Sequence, residues 1–81
     1  MPYLIINKQG EFMTFGKNLK RLRQERELTQ QTLAKKLFIS RQSISKWEND
    51  ISFPPVMVIK KLIVILKCSY EDLFDYDEKN E

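Results

Sequence analysis

Two runs with helical apolar spacing meet across only three residues. In the first, Leu33, Ala34 and Leu37 face inward and Lys35 and Lys36 outward; in the second, Ile44 and Trp47 mark the buried side. Recurrence at i, i+3 and i+4 is the signature of an amphipathic helix. Between the runs stand Phe38, Ile39 and Ser40, so the second helix must turn across the first. Ala34 is small where the two must approach closely. Ser40 suits the start of the second helix, because its hydroxyl reaches the free N–H of Gln42 or Ser43.

The same period runs through most of the chain. Phe15, Leu19 and Leu22 recur at i, i+4 and i+7 after Thr14, a suitable N-cap; Thr29 caps the next helix in the same way. Pro54-Pro55 opens a fourth helix, with Val56, Ile59, Leu62, Ile63 and Leu66 as its core stripe. "SYED" from Ser69 has the form of a capping box with Asp in place of Glu or Gln, so a last short helix is expected there. The expectation is an all-α fold, a bundle of about five helices over residues 13–75. Residues 1–12 are expected to form an N-terminal arm, either a disordered leader or a short strand, with Tyr3–Ile6 β-favouring and "NKQG" turn-like, and residues 76–81 a flexible acidic tail.

Composition narrows the function classes. The chain has 81 residues, of which 42% are apolar and 31% charged, with two Gly, three Pro, one Cys and no His. That is the balance of a globular chain, and the shortage of turn residues disfavours an all-β fold. No apolar run approaches the ~18 residues of a membrane span, and the N-terminus lacks the form of a secretory leader, so a cytoplasmic home is expected. Without His, and with one Cys (Cys68) read as a small buried apolar residue, neither a nucleophile–base pair nor a metal site assembles. An enzyme is disfavoured, and no cofactor, metal or small-molecule ligand is expected. The net charge of +3 hides a polarity: residues 13–61 hold eleven Lys and Arg against four Asp and Glu, whereas residues 62–81 hold two against six. A basic body suits a polyanionic partner.

The row after Ser40 then has a purpose. With Ile44 and Trp47 holding the third helix to the body, Arg41, Gln42, Ser45 and Lys46 occupy its outer side and N-terminal end. Arg grips guanine O6 and N7 with two bonds, Gln does the same to adenine N6 and N7, and Ser and Lys add base or phosphate contacts. Trp47 reads as core packing. Lys17, Lys20, Arg21 and Arg23 read as a solvated basic face.

"LTQQTLAKKL", "ISRQSISKWEN", the proline before the fourth helix and the closing "KCSYEDLF" together resemble the lambda-repressor/Cro-like, or Xre, helix-turn-helix family, over about residues 14–74. The resemblance implies that the third helix (about 40–48) enters the major groove, usually as a homodimer on a palindromic operator. It places base contacts at Arg41, Gln42, Ser45 and Lys46, and phosphate contacts at Gln30, Ser43 and Asn49. Ser40 and Lys35 join the phosphate set. Three positions depart from the pattern. Phe38 stands where Gly or Asn is common, and is strained if the turn needs φ > 0. Gln31 and Thr32 replace early acidic residues, and Asp50 replaces a common Gly.

On the fourth helix Met57 and Val64 lie opposite the core stripe, flanked by Val58 and Ile65. Apolar residues left outward suggest a partner surface, here a dimer interface, with cover by the N-terminal arm as the alternative. The leading expectation is a DNA-binding transcriptional regulator, a repressor. The others are an antitoxin of a toxin–antitoxin pair and a protein-interaction module that keeps the fold without DNA binding.

Overall fold

The computed structural model describes residues 13–74, which form five helices: α1 (Phe15–Glu25), α2 (Gln30–Leu37), α3 (Arg41–Glu48), α4 (Val56–Leu66) and α5 (Tyr70–Phe74). Among the described residues there is no strand, and no helix is long and apolar enough to cross a membrane. The expected arm at 1–12, the Tyr3–Ile6 strand within it and the tail at 76–81 lie outside the described residues.

The helix starts follow the expected caps. The side-chain oxygens of Thr14, Thr29 and Ser40 accept from the backbone N–H groups of Lys17, Thr32 and Ser43. Pro55 precedes α4 without a side-chain cap. At α5 the capping box closes in both directions: Asp72 N–H donates to Ser69 Oγ (3.0 Å) and Ser69 N–H to Asp72 Oδ2 (2.9 Å).

The helix ends hold what the sequence disclosed only at Phe38. Glu27, Phe38, Asp50 and Lys67 follow α1 to α4, and each has a left-handed backbone, with φ of 56°, 59°, 58° and 53°. Behind each, the next N–H reaches back five residues: Leu28 to Arg23 O, Ile39 to Ala34 O, Ile51 to Lys46 O and Cys68 to Ile63 O. These are Schellman closures, which usually employ Gly. Here no Gly serves, and each L side chain in that conformation costs about 1 kcal/mol or more.

Every helix contributes to one core. Leu19, Leu33, Ile44, Leu62, Leu66 and Leu73 are fully buried, with Leu22, Ala34, Leu37, Trp47 and Ile59 beside them. Full burial of a Leu or Ile is worth about 1.5–3 kcal/mol. Two expectations fail. Val56 is 67% exposed, because the buried stripe of α4 is Ile59, Leu62 and Leu66, which turns Val56 to the rim. Arg23, expected on a solvated face, is 7% exposed.

Gly16 is fixed by close approach. A Cβ there would collide with the backbone carbonyls of Trp47 and Glu48, so the start of α1 can lie directly against the end of α3. Phe15, Phe53 and Phe74 close the same end of the bundle, with ring centroids 4.5 to 6.0 Å apart.

Candidate nucleic-acid interface

The α2–α3 unit is held by its buried side. Leu33, Ala34, Leu37, Ile44 and Trp47 all enter the core. The left-handed Phe38 makes the turn, its ring 91% exposed. With Ile44, Trp47 and Glu48 buried, Gln42, Ser45, Lys46 and Asn49 fall at i, i+3, i+4 and i+7 on the opposite face of α3. Gln42, Lys46 and Asn49 are exposed and Ser45 half-buried, and Arg41 stands exposed at the N-terminal edge of this stripe. The stripe carries donors and acceptors and no apolar side chain. Its width is that of one helix face, which the major groove of B-DNA admits.

Six of the nine expected contact residues fall into three linked pairs. Arg41 Nη1 donates to Gln30 Oε1 at 3.2 Å, joining the N-termini of α3 and α2. Ser40 Oγ and Ser43 Oγ lie 3.1 Å apart at the start of α3. Asn49 Nδ2 donates to Ser45 O at 2.8 Å and lies 3.4 Å from Ser45 Oγ. Lys35 is exposed on α2 and makes none of these contacts.

Sequence reasoning missed the support beneath them. Arg23 Nε and Nη2 donate to Glu48 Oε2 and Oε1 at 2.6 and 3.1 Å, both side chains are under 10% exposed, and Arg23 Nη1 donates to Leu28 O. Gln30 Nε2 donates to Glu48 Oε1 at 2.9 Å. The signal was present: Arg23 lies four residues after Leu19 and Glu48 four after Ile44, so each charge sits on its helix's apolar stripe. Arg26 was also missed. Its Nε and Nη2 donate to Leu66 O and Lys67 O, satisfying carbonyls at the end of α4.

On α4, Met57 and Val64 are exposed, and Val56 joins them. Val58 and Ile65, expected in the same patch, pack partly against the core. A shallow groove of about 570 Å³ lies beside Val64 and Ile65, bordered by Arg26, Leu28, Lys36 and Lys67. Cys68 is half-buried; that burial, and secondarily the nearby Asp72 carboxylate, push its thiol above its ordinary pKa, so it is a poor nucleophile.

The helix-turn-helix family model matches residues 19–73, from the middle of α1 into α5. The chain belongs to the helix-turn-helix family, in its lambda-repressor-like class. It is 33% identical over 66 residues to the HTH-type transcriptional activator BcrR of Enterococcus faecalis, covering 82% of this chain and 32% of that protein. It is 45% identical over 60 residues to the uncharacterized HTH-type transcriptional regulator RghRB of Bacillus subtilis, covering 73% of this chain and 43% of that one. The chain thus spans less than half the length of either relative. Among solved structures it is similar to the P22 c2 repressor protein in complex with synthetic operator 9T, with a TM-score of 0.74 and 26% identity over 80% of this chain and 98% of that one.

Proposed function

We propose that this helix-turn-helix chain is a sequence-specific, DNA-binding transcriptional regulator acting in the cytoplasm. It lays α3 in the major groove and binds a palindromic operator as a homodimer. The observation that carries the reading is the polar stripe Gln42–Ser45–Lys46–Asn49, presented outward by a helix whose other face is locked in the core. Arg41, Gln42, Ser45 and Lys46 read base edges. Gln30, Ser40, Ser43, Asn49 and Lys35 meet phosphates, aided by free N–H groups at the starts of α2 and α3. Exposed Met57 and Val64, with Val56, supply the contact between copies. The structure of the P22 c2 repressor with a synthetic operator, and relatives named as regulators, support this reading. Those names include an activator and a repressor.

The test is selection of duplexes from a randomised library, followed by affinity measured against salt. A symmetric consensus is expected, with log K falling by about 0.9 per phosphate neutralised for each unit of log salt. Failure to enrich any sequence, with a flat salt response, would leave a protein-interaction module instead.

A further inference from the structure

The groove beside Val64 lies where three helices end. Arg26 follows α1, Lys36 stands in the last turn of α2, and Lys67 follows α4. These three cations border a space of about 570 Å³. Leu28 and Ile65, half-buried, and Val64, 75% exposed, supply its apolar wall. Among the described residues no acidic side chain borders it. Arg26 is held in place, since its Nε and Nη2 donate to Leu66 O and Lys67 O at 2.8 and 3.2 Å. The described ion pairs, Arg21–Glu25 and Arg23–Glu48, include none of the three cations. Positive charge therefore stands around aliphatic side chains with no described carboxylate to meet it.

The lining selects among occupants. A phosphate backbone would match the cations and leave the apolar wall without use. A small anionic molecule would remain largely in water, because ligand pockets enclose most of their ligand and this groove is shallow. A segment of polypeptide fits both parts. One apolar side chain can cover Leu28, Val64 and Ile65, while carboxylates beside it meet Arg26, Lys36 and Lys67. We propose that this groove docks an acidic segment of a partner protein, anchored by one aliphatic or aromatic side chain. None of its six lining residues belongs to the set placed against DNA, so the site goes beyond that reading. Val64 also belongs to the α4 patch, so a partner seated here meets the edge of the contact between copies.

The experiment uses the chain without DNA, so its result does not depend on the reading of α3. Peptides are selected from a displayed random library against the folded chain, and an enriched peptide is synthesised as the probe. Selection is expected to favour two or more Asp or Glu around one large apolar residue. Added to isotope-labelled protein, the probe should shift the amide signals of Leu28, Lys36, Val64, Ile65 and Lys67. Lys36→Gln with Lys67→Asn should weaken its binding about tenfold. Asn suits the left-handed backbone at Lys67, and unfolding curves of the double variant separate a lost site from a lost fold. Replacing the probe's apolar residue with Ser should abolish binding. No enrichment, an enriched set without acidic bias, shifts confined to α3, or undiminished affinity in the double variant would each overturn the proposal. A synthetic peptide of residues 75–81 that binds as tightly as the probe would also overturn it, giving the groove to this chain's own acidic segment. Groove signals that shift as the chain alone is concentrated would give it to a second copy instead.

Discussion

Asp50 Oδ1 accepts a 2.9 Å hydrogen bond from the backbone N–H of Gly16, thirty-four residues away in sequence, and Asp50 Oδ2 accepts one from the Thr14 hydroxyl at 2.7 Å. The residue that ends α3 therefore caps α1. α1 has no acidic residue in its first turn, so Asp50 supplies the negative charge that its dipole favours. It does so from a left-handed backbone, φ 58°. Gly would relieve that backbone cost but remove the carboxylate, which explains why Asp can stand where Gly is common.

These opposing effects give a first prediction. Asp50→Ala loses the cap and keeps the left-handed penalty, so it should cost about 1–2 kcal/mol. Asp50→Gly loses the same cap but relieves the backbone, so it should cost clearly less. Urea unfolding of the two variants ranks them. Ala as the milder change would mean that the left-handed backbone carries no penalty, and no loss in either variant would mean that the cap contributes nothing.

The other left-handed closures act in the opposite direction. Phe38 is 91% exposed, so truncating it removes little packing and relieves about 1 kcal/mol of backbone strain. Phe38→Gly should raise the thermal midpoint. A lowered midpoint would show that the ring has a packing role that its exposure hides.

The Arg23–Glu48 pair sets a third expectation. Glu48→Ala leaves a buried guanidinium without its carboxylate and should cost about 3–5 kcal/mol, a large part of a domain's stability. Replacing both partners, Arg23→Met with Glu48→Leu, should recover most of that loss in denaturant unfolding. A double variant as unstable as the single one would mean that the neighbours of the pair, Gln30 and Leu28 O, depend on it more than the ions depend on each other.

How far the sequence reached follows from these residues. Helix starts were legible because Thr14, Thr29, Ser40 and Ser69 act on backbone groups three positions ahead. The core was legible because Leu and Ile recur with the helical period, and α3's outer face followed from Ile44 and Trp47. Three things were not legible. Contacts such as Asp50 to Gly16 and Arg26 to Leu66 O depend on which helix ends meet in space. Left-handed closures were legible only at Phe38, since Glu27 and Lys67 carry none of the usual Gly signal. Arg23 and Glu48 look like surface charges until each is seen to sit on an apolar stripe facing the other. At Val56 the period held, but the first turn of α4 overhangs the rim of the core.

Specificity gives a fourth prediction. Gln42 and Lys46 share the outward stripe of α3, whereas Lys35 stands on α2. Gln42→Ala should cost about 1–3 kcal/mol on the selected duplex and relax preference at one base pair per half-site. Lys35→Ala should weaken selected and random duplex alike and lower the salt slope by about 1. Competition binding on both duplexes checks the pair. An equal loss on the two DNAs for Gln42→Ala would remove it from base reading.

The last prediction concerns assembly. Two recognition helices reading one face of B-DNA must lie about 34 Å apart, and a chain of 81 residues needs a surface that sets this distance. Met57 at 64% and Val64 at 75% exposure project from α4 away from the core, and Val56 at 67% extends the patch. Val58 and Ile65 lie behind, packed partly on the core, so they shape the patch more than they meet a partner. A two-fold contact is self-complementary, so in the proposed dimer Val64 is expected close to its own copy or to Met57 of the second chain. Lys60 and Lys61, exposed on the same helix, must point out of that contact or toward acidic groups, since like charges would oppose it. Val64→Glu places a carboxylate in the patch without touching the core. Cooperative binding to a full palindrome should be lost while affinity for a single half-site stays nearly unchanged. Sedimentation of the variant with and without the palindrome reads both, and an undiminished dimer on DNA would move the interface away from α4.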